Sequence, residues 1–170
     1  MELKELTEKT LDLLEIENTN EMSKRLFEVV KNNDVRIYEK FCELIKNDLS
    51  VDWLQKIYQY YQADRKEKMQ DYTPQSLARF VSKLVGESDI IIDMCAGSGA
   101  LALQKWKLKP EQSFCLYELD ENVIPFLLFN MAVRNIKCVV NHADVLQDEI
   151  YHTYIVVPGK RFGEIEEVER

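Results

Sequence analysis

The residues with the most chemistry in them are Asp93-Met94-Cys95-Ala96-Gly97-Ser98-Gly99-Ala100-Leu101-Ala102. They follow the apolar run Ile90-Ile91-Ile92 and open a helical pattern, the context in which a G-x-G-x-x-G/A match carries meaning. Gly97 and Gly99 allow a tight turn and a close backbone approach to a ligand, and the helix start behind them offers free N–H groups. The plainer reading is an ordinary tight turn. Two acids narrow the choice. Glu118 ends a second apolar strand, at the distance where a carboxylate hydrogen-bonds ribose hydroxyls. Asp93 sits at the mouth of the loop, where it repels a pyrophosphate and attracts an ammonium group. That favours S-adenosylmethionine over a dinucleotide, with a bare helix cap as the third option for Asp93.

The elements that must position this loop can be read from periodicity. Leu3, Leu6, Leu11, Leu13 and Leu14 form one amphipathic stripe, stopped by residues 18–20. Residues 21–31 give a second helix with Met22, Leu26, Val29 and Val30 inward, and residues 35–45 a third. Ser50 is expected to cap a fourth, where Trp53, Leu54, Ile57 and Tyr58 recur at helical spacing. Tyr58, Tyr60 and Tyr61 read as core and rim, with a base-stacking platform the alternative. Residues 64–68 read as a solvated helix end or linker. Thr73-Pro74 starts a further helix, whose apolar face is expected to be Leu77, Phe80, Val81, Leu84 and Val85, closed by Gly86. Strands follow at 90–92, 113–118, 137–140 and 154–157, with helices between the first three and Pro125 in a first turn. Strand–helix–strand alternation predicts an α/β fold: a helical region over 1–68, then a half Rossmann-like sheet over 69–170 of about four parallel strands in the order 3-2-1-4.

At 170 residues the chain is one domain, or one with a helical attachment. The net charge of −8 repels phosphate backbones, so contact with DNA is expected only through a local patch or a partner. Lys105, Lys107, Lys109, Lys160 and Arg161 are the basic candidates, read first as solvated ends. The four cysteines lack a C-x-x-C pair and the two histidines lie far from them, so no metal site is expected. No apolar run reaches the ~18 residues of a membrane span, and no export signal is visible. The expectation is a cytoplasmic protein with reduced thiols.

Four segments in this order, Asp71-Tyr72-Thr73-Pro74-Gln75, Asp93 to Gly99, Glu118-Leu119-Asp120 and Ala143-Asp144-Val145-Leu146, resemble the adenine-specific (N-6) DNA methyltransferases, notably the modification subunits of type I restriction-modification systems. The likeness covers about residues 70 to 157. It implies a partial S-adenosylmethionine-dependent methyltransferase fold. Tyr72, Thr73 and Pro74 match the segment closing over the methionine end of the cofactor. Asp93, Ala96, Gly97 and Gly99 match the cofactor loop, and Glu118 the ribose acid. Asp144 matches the acceptor of the adenine amine, and Leu119 and Val145 can flank the ring.

The family's catalytic Asn/Asp-Pro-Pro-aromatic motif is expected after the fourth strand, but Val157-Pro158-Gly159 stands there. No catalytic residue can be assigned. Pro158-Gly159 reads instead as a turn folding residues 162–168 back as a hairpin. The remaining length leaves no room for the second half of a full sheet or a target-recognition domain. The expectation is methyl transfer to an exocyclic amine with the isolated chain inactive, the alternative being a non-catalytic cofactor module or interaction scaffold. An uncovered sheet edge further predicts a homodimer, or a complex with another methyltransferase or restriction subunit.

Overall fold

A computed structural model describes residues 2–62 and 73–169. Helix α1 (Leu3–Leu14) buries Leu6 and Leu14, and the left-handed Glu15 ends it. Helix α2 (Met22–Lys31) buries the four expected side chains, Met22, Leu26, Val29 and Val30. Helix α3 (Val35–Leu44) is capped by Asp34, which accepts from the Arg36 amide. Helix α4 spans Trp53–Gln62. Its cap is Asp52 rather than Ser50: Asp52 Oδ1 accepts from Gln55 N at 2.9 Å, while Ser50 Oγ is spent on Asp48. A carboxylate one residue before the first turn reaches the free N–H that a hydroxyl two residues further back cannot. The expected solvated stretch at 64–68 lies outside the described residues.

Helix α5 (Gln75–Leu84) leads to β1 (Ile90–Asp93), α6 (Ala100–Leu108), β2 (Ser113–Glu118), α7 (Ile124–Val133) and β3 (Cys138–Asp144). Strands β1, β2 and β3 run parallel, Ile91 beside Phe114 and Phe114 beside Cys138. The chain then reverses. Strand β4 (Glu149–Pro158) runs antiparallel to β3, and β5 (Gly163–Glu167) antiparallel to β4, in the order β1-β2-β3-β4-β5. The α/β class and the helical region hold, as does the hairpin after Pro158-Gly159. The count of four parallel strands and the order 3-2-1-4 do not. Only residues 145–148 separate β3 from β4, a turn with Asp148 at φ 56°. A parallel crossover needs a dozen residues or more, so a segment this short can only fold back.

Parallel strand–helix–strand connections are right-handed as a rule, and two in succession in the same direction put their helices, here α6 and α7, on one face of the sheet. Helix α7 (Ile-Pro-Phe-Leu-Leu-Phe-Asn-Met-Ala-Val) is buried at all ten positions. A helix apolar all round needs cover on every side. The sheet supplies one side and the N-terminal helices the other. Phe129 meets Tyr38 and Phe41 edge-to-face, with centroids 5.3 and 5.1 Å apart, and Tyr38 also meets Phe162. Tyr58 packs on Phe126, as the core reading of that tyrosine expects. The N-terminal helices and the sheet therefore share one apolar core. Among the described residues no helix is long and apolar enough to cross a membrane.

The apolar face of α5 is oriented differently from expectation. Ala78 and Ser82 are buried, whereas Leu77, Phe80 and Leu84 are exposed. The periodicity finds the stripe but cannot say whether anything covers it. Lys105, expected at a solvated end, is also buried; its ammonium donates to the carbonyls of Val85 and Gly86 and fixes the end of α5 on α6. Lys109 pairs with Glu87, and Arg161 with Glu39.

One polar group runs through this core. Arg134, buried, donates to the carbonyls of Leu49, Val51 and Asn130 and to Asn130 Oδ1, at 2.8–3.1 Å. Burial draws its guanidinium down to about 10, so it remains charged at neutral pH. Replacing Arg134 by Ala would leave four acceptors, two of them buried, without this donor and remove the positive charge near the buried Asp52. The expected loss is about 3–5 kcal/mol, read as a lower urea midpoint. Lys, with one compact ammonium in place of a planar fork, should restore less than half of it.

Candidate functional site

Strand β1 delivers Asp93 to the carboxyl-terminal end of the parallel strands, where open α/β sheets bind ligands. The chain then turns through residues 94–99. Gly97 lies at φ 56° and Gly99 at φ 99°, both in the left-handed region that disfavours side chains. The two glycines serve different ends. A Cβ at Gly97 would meet nothing within 4 Å, whereas one at Gly99 would stand 2.9 Å from Met131 Cε and 3.0 Å from Leu127 Cδ1. Gly99 is small so that α7 can pack against the loop; Gly97 leaves open space beside it. No side chain caps α6 behind Gly99, so its first N–H groups stay available.

Glu118, at the end of β2, holds this loop from across the sheet. Its Oε2 accepts from Gly97 N at 2.7 Å and its Oε1 from Asp120 N at 2.8 Å. Ala96 N adds a bond to Tyr117 O at 2.8 Å. Each carboxylate oxygen still has a free lone pair, so Glu118 can brace the loop and accept from a hydroxyl. From below, Asn130 donates to Ser98 O at 3.0 Å. Sequence reasoning missed Asn130, which sits in an apolar helical stretch with no local mark of what it touches.

Asp93 is left short of partners. Its Oδ1 accepts from Cys95 N at 3.2 Å, while its buried Oδ2 has no hydrogen-bond partner among the described residues. Burial pushes its carboxyl above the ordinary carboxylate value. Asp93 also lines a cleft of about 260 Å³ with Val85, Ile92, Met94 and Lys105, between α5, β1 and α6. A carboxylate so placed is suited to a cationic group.

Asp144 ends β3 on the same side of the sheet. It accepts from the Leu146 and Gln147 amides and from Gln147 Nε2, and that last bond holds its carboxyl below the usual range. These contacts are those of a turn residue. Near it His142 Nε2 donates to Leu119 O at 3.1 Å, the carbonyl fixing that nitrogen as the protonated one. Leu119 is exposed and Val145 half-buried, two apolar side chains left open at this end. Thr73 and Pro74 precede α5; Tyr72 lies outside the described residues.

The segment Val157-Pro158-Gly159 is not at this site. Because β4 runs antiparallel, Val156 pairs with Cys138 at the start of β3, and Pro158 lies beyond it. Asp93, Glu118 and Asp144 stand at the other end, a strand length of about 20 Å away. Removing the Glu118 brace should loosen the loop without touching the core. Glu118→Ala is expected to abolish slow hydrogen exchange at Gly97 N and cost about 2–3 kcal/mol, while Glu118→Gln, which keeps one acceptor oxygen, retains part of both.

A family model described as N-6 DNA methylase matches residues 46–158, about two thirds of the chain. The match begins within the turn before α4 and so takes in the last N-terminal helix as well as the sheet through β4. No curated protein and no solved structure matches the chain. The loop after β1, the acid ending β2 and the acid ending β3 lie inside the matched span in the order that the N-6 methylase likeness requires, and the chain belongs to the N-6 DNA methylase family.

Proposed function

We propose that the chain is the cofactor-binding part of an adenine N-6 DNA methylase, and that it binds S-adenosylmethionine at the 93–99 loop. The observation that carries this reading is the half-buried Asp93 carboxylate, whose buried Oδ2 lacks a partner among the described residues and which lines a cleft beside an open Gly97. The residues fit the cofactor in kind. Asp93 would hold the ammonium group, with Thr73, Pro74 and Tyr72 at the same methionine end. Ala96, Gly97 and Gly99 would present backbone to it, and Glu118 would accept from the ribose. Leu119 and Val145 would flank the adenine, and Asp144 would accept from its amine.

When bound, the cofactor supplies an electrophilic methyl group. The chain's own contribution is to hold and orient it, which is the larger part of such catalysis when no covalent step on the protein is involved. The isolated chain is not expected to transfer that methyl group. Residues 157–162, where the family's catalytic motif would be sought, lie at the opposite end of the sheet. Contact with DNA, and completion of catalysis, would then come from a partner such as another methyltransferase or restriction subunit, consistent with a chain of net charge −8.

Calorimetry tests the cofactor site. S-adenosylmethionine and its demethylated product should bind with dissociation constants of ~1–100 μM, roughly −8 to −5.5 kcal/mol, and Asp93→Ala should abolish the heat. The pH dependence has a fixed sign. A cation favours the ionised carboxyl, so affinity should fall as pH drops through the raised Asp93 pKa and recover above it. Asp93→Asn should remove that dependence. A folded protein giving no heat with either ligand would overturn the cofactor reading.

A further inference from the structure

Between Leu77 and Met94 the chain exposes an unusual amount of apolar surface. Phe80 is 59% exposed, Leu84 68%, Ile90 54% and Ile92 59%, and Leu77, Val85 and Met94 are exposed with them. Single exposed apolar residues need no explanation, but contiguous patches mark interaction sites. These residues form two rows. Leu77, Phe80 and Leu84 lie at helical spacing along the outer side of α5. Ile90 and Ile92 alternate along β1 with Ile91, which packs against the core, and are exposed. The rows approach each other at the 260 Å³ cleft, which Val85, Ile92 and Met94 line together.

The two edges of the sheet differ sharply. At β5, Asn33 pairs with the edge as a strand would, donating to Ile165 O and accepting from Ile165 N at 3.0 and 2.7 Å. Glu164, Glu166 and Glu167 add charge there. Such an edge is blunted against further pairing. Strand β1 pairs with β2 alone, and no strand among the described residues adjoins its outer side. It carries three isoleucines in a row and no charge before Asp93.

We infer that β1 and the outer stripe of α5 form a two-fold interface between two copies of this chain. In antiparallel pairing of β1 with β1 about Ile91, Ile90 stands beside Ile92 of the second copy and the two α5 stripes are brought to the same side of the joined sheet. The charges permit it. Arg79 and Lys83 on α5 and Lys109, paired with Glu87, stand with Glu87 and Asp89 before β1, so this surface has no negative excess in a chain of net charge −8. The β5 edge would set like charges together. A stable interface buries about 800 Å² per partner, more than a four-residue strand provides, so the helix stripe belongs to the interface and its loss must break the dimer. The pairing also places β1, and with it the Asp93 end of the cofactor loop, at the boundary between copies.

Light scattering across roughly a hundredfold concentration range reads this directly through mass action. The wild-type chain should move from 20.0 kDa toward twice that mass. Phe80→Glu and Ile92→Lys, both at exposed positions and checked for folding by circular dichroism, should each weaken association by about tenfold or more. Glu166→Lys at the other edge should leave it unchanged. A mass of 20.0 kDa at every concentration would overturn the proposal, as would a dimer that both apolar variants leave intact or that Glu166→Lys disrupts.

Discussion

Arg134 is the group on which the rest of the architecture depends. Its guanidinium binds the carbonyls of Leu49 and Val51, which belong to the turn before α4, and the carbonyl and amide oxygen of Asn130 within α7. Asn130 passes the connection on to Ser98 O in the loop. Three parts of the chain far apart in sequence are thus joined through one planar cation. A buried charge of this kind is tolerable only when its donors are nearly all used, and here four acceptors meet it. Cutting the chain between the helical region and the sheet would expose those acceptors as well as the apolar underside of α7.

The loop inherits its shape from this arrangement. Helix α7 presses on Gly99 through Leu127 and Met131, and Asn130 fixes Ser98 from the same helix. From the opposite side Glu118 fixes Gly97. A turn with two glycines in the left-handed region is held between a helix and a strand by contacts that survive without a ligand. Such a site is preorganised: ordering costs that binding would otherwise incur are met during folding. The N-terminal helices contribute by closing the far side of α7, through Tyr38 and Phe41 on Phe129.

Much of this was legible in the chain itself. The loop, the two following acids and the boundaries of α2, α3 and β2 follow from patterns spanning a few residues, and local patterns are what a sequence displays. The errors arise where a non-local fact decides. The apolar run at 154–157 reads equally as a parallel or an antiparallel strand; the length of the preceding connection settles it, and that depended on β3 reaching Asp144 rather than ending near Val140. The stripe on α5 was visible, but whether it meets the core or solvent is decided by what lies beside β1. Asn130 and Arg134 carry no local mark at all, since a polar residue in an apolar helix gains meaning only from carbonyls thirty or eighty residues away.

Two aspartates, Asp52 buried and Asp93 half-buried, show how structure and function separate in such a molecule. Burial pushes both carboxyls up. Each keeps one buried oxygen without a hydrogen-bond partner among the described residues, but Asp52 has compensation inside the fold: it caps α4 through Gln55 N and lies within the field of Arg134. Asp93 has one long backbone bond from Cys95 and no ion pair among the described residues. Within the fold alone, Asp93 is a cost without a return, because a serine or asparagine could accept from the same amide with no charge to bury. Local rules are broken in this way at functional sites, where the missing partner belongs to a ligand. The position of the break, at the tip of β1 beside an open glycine and against an apolar surface, places the unmet demand of this fold at the loop that the rest of the molecule is built to hold still.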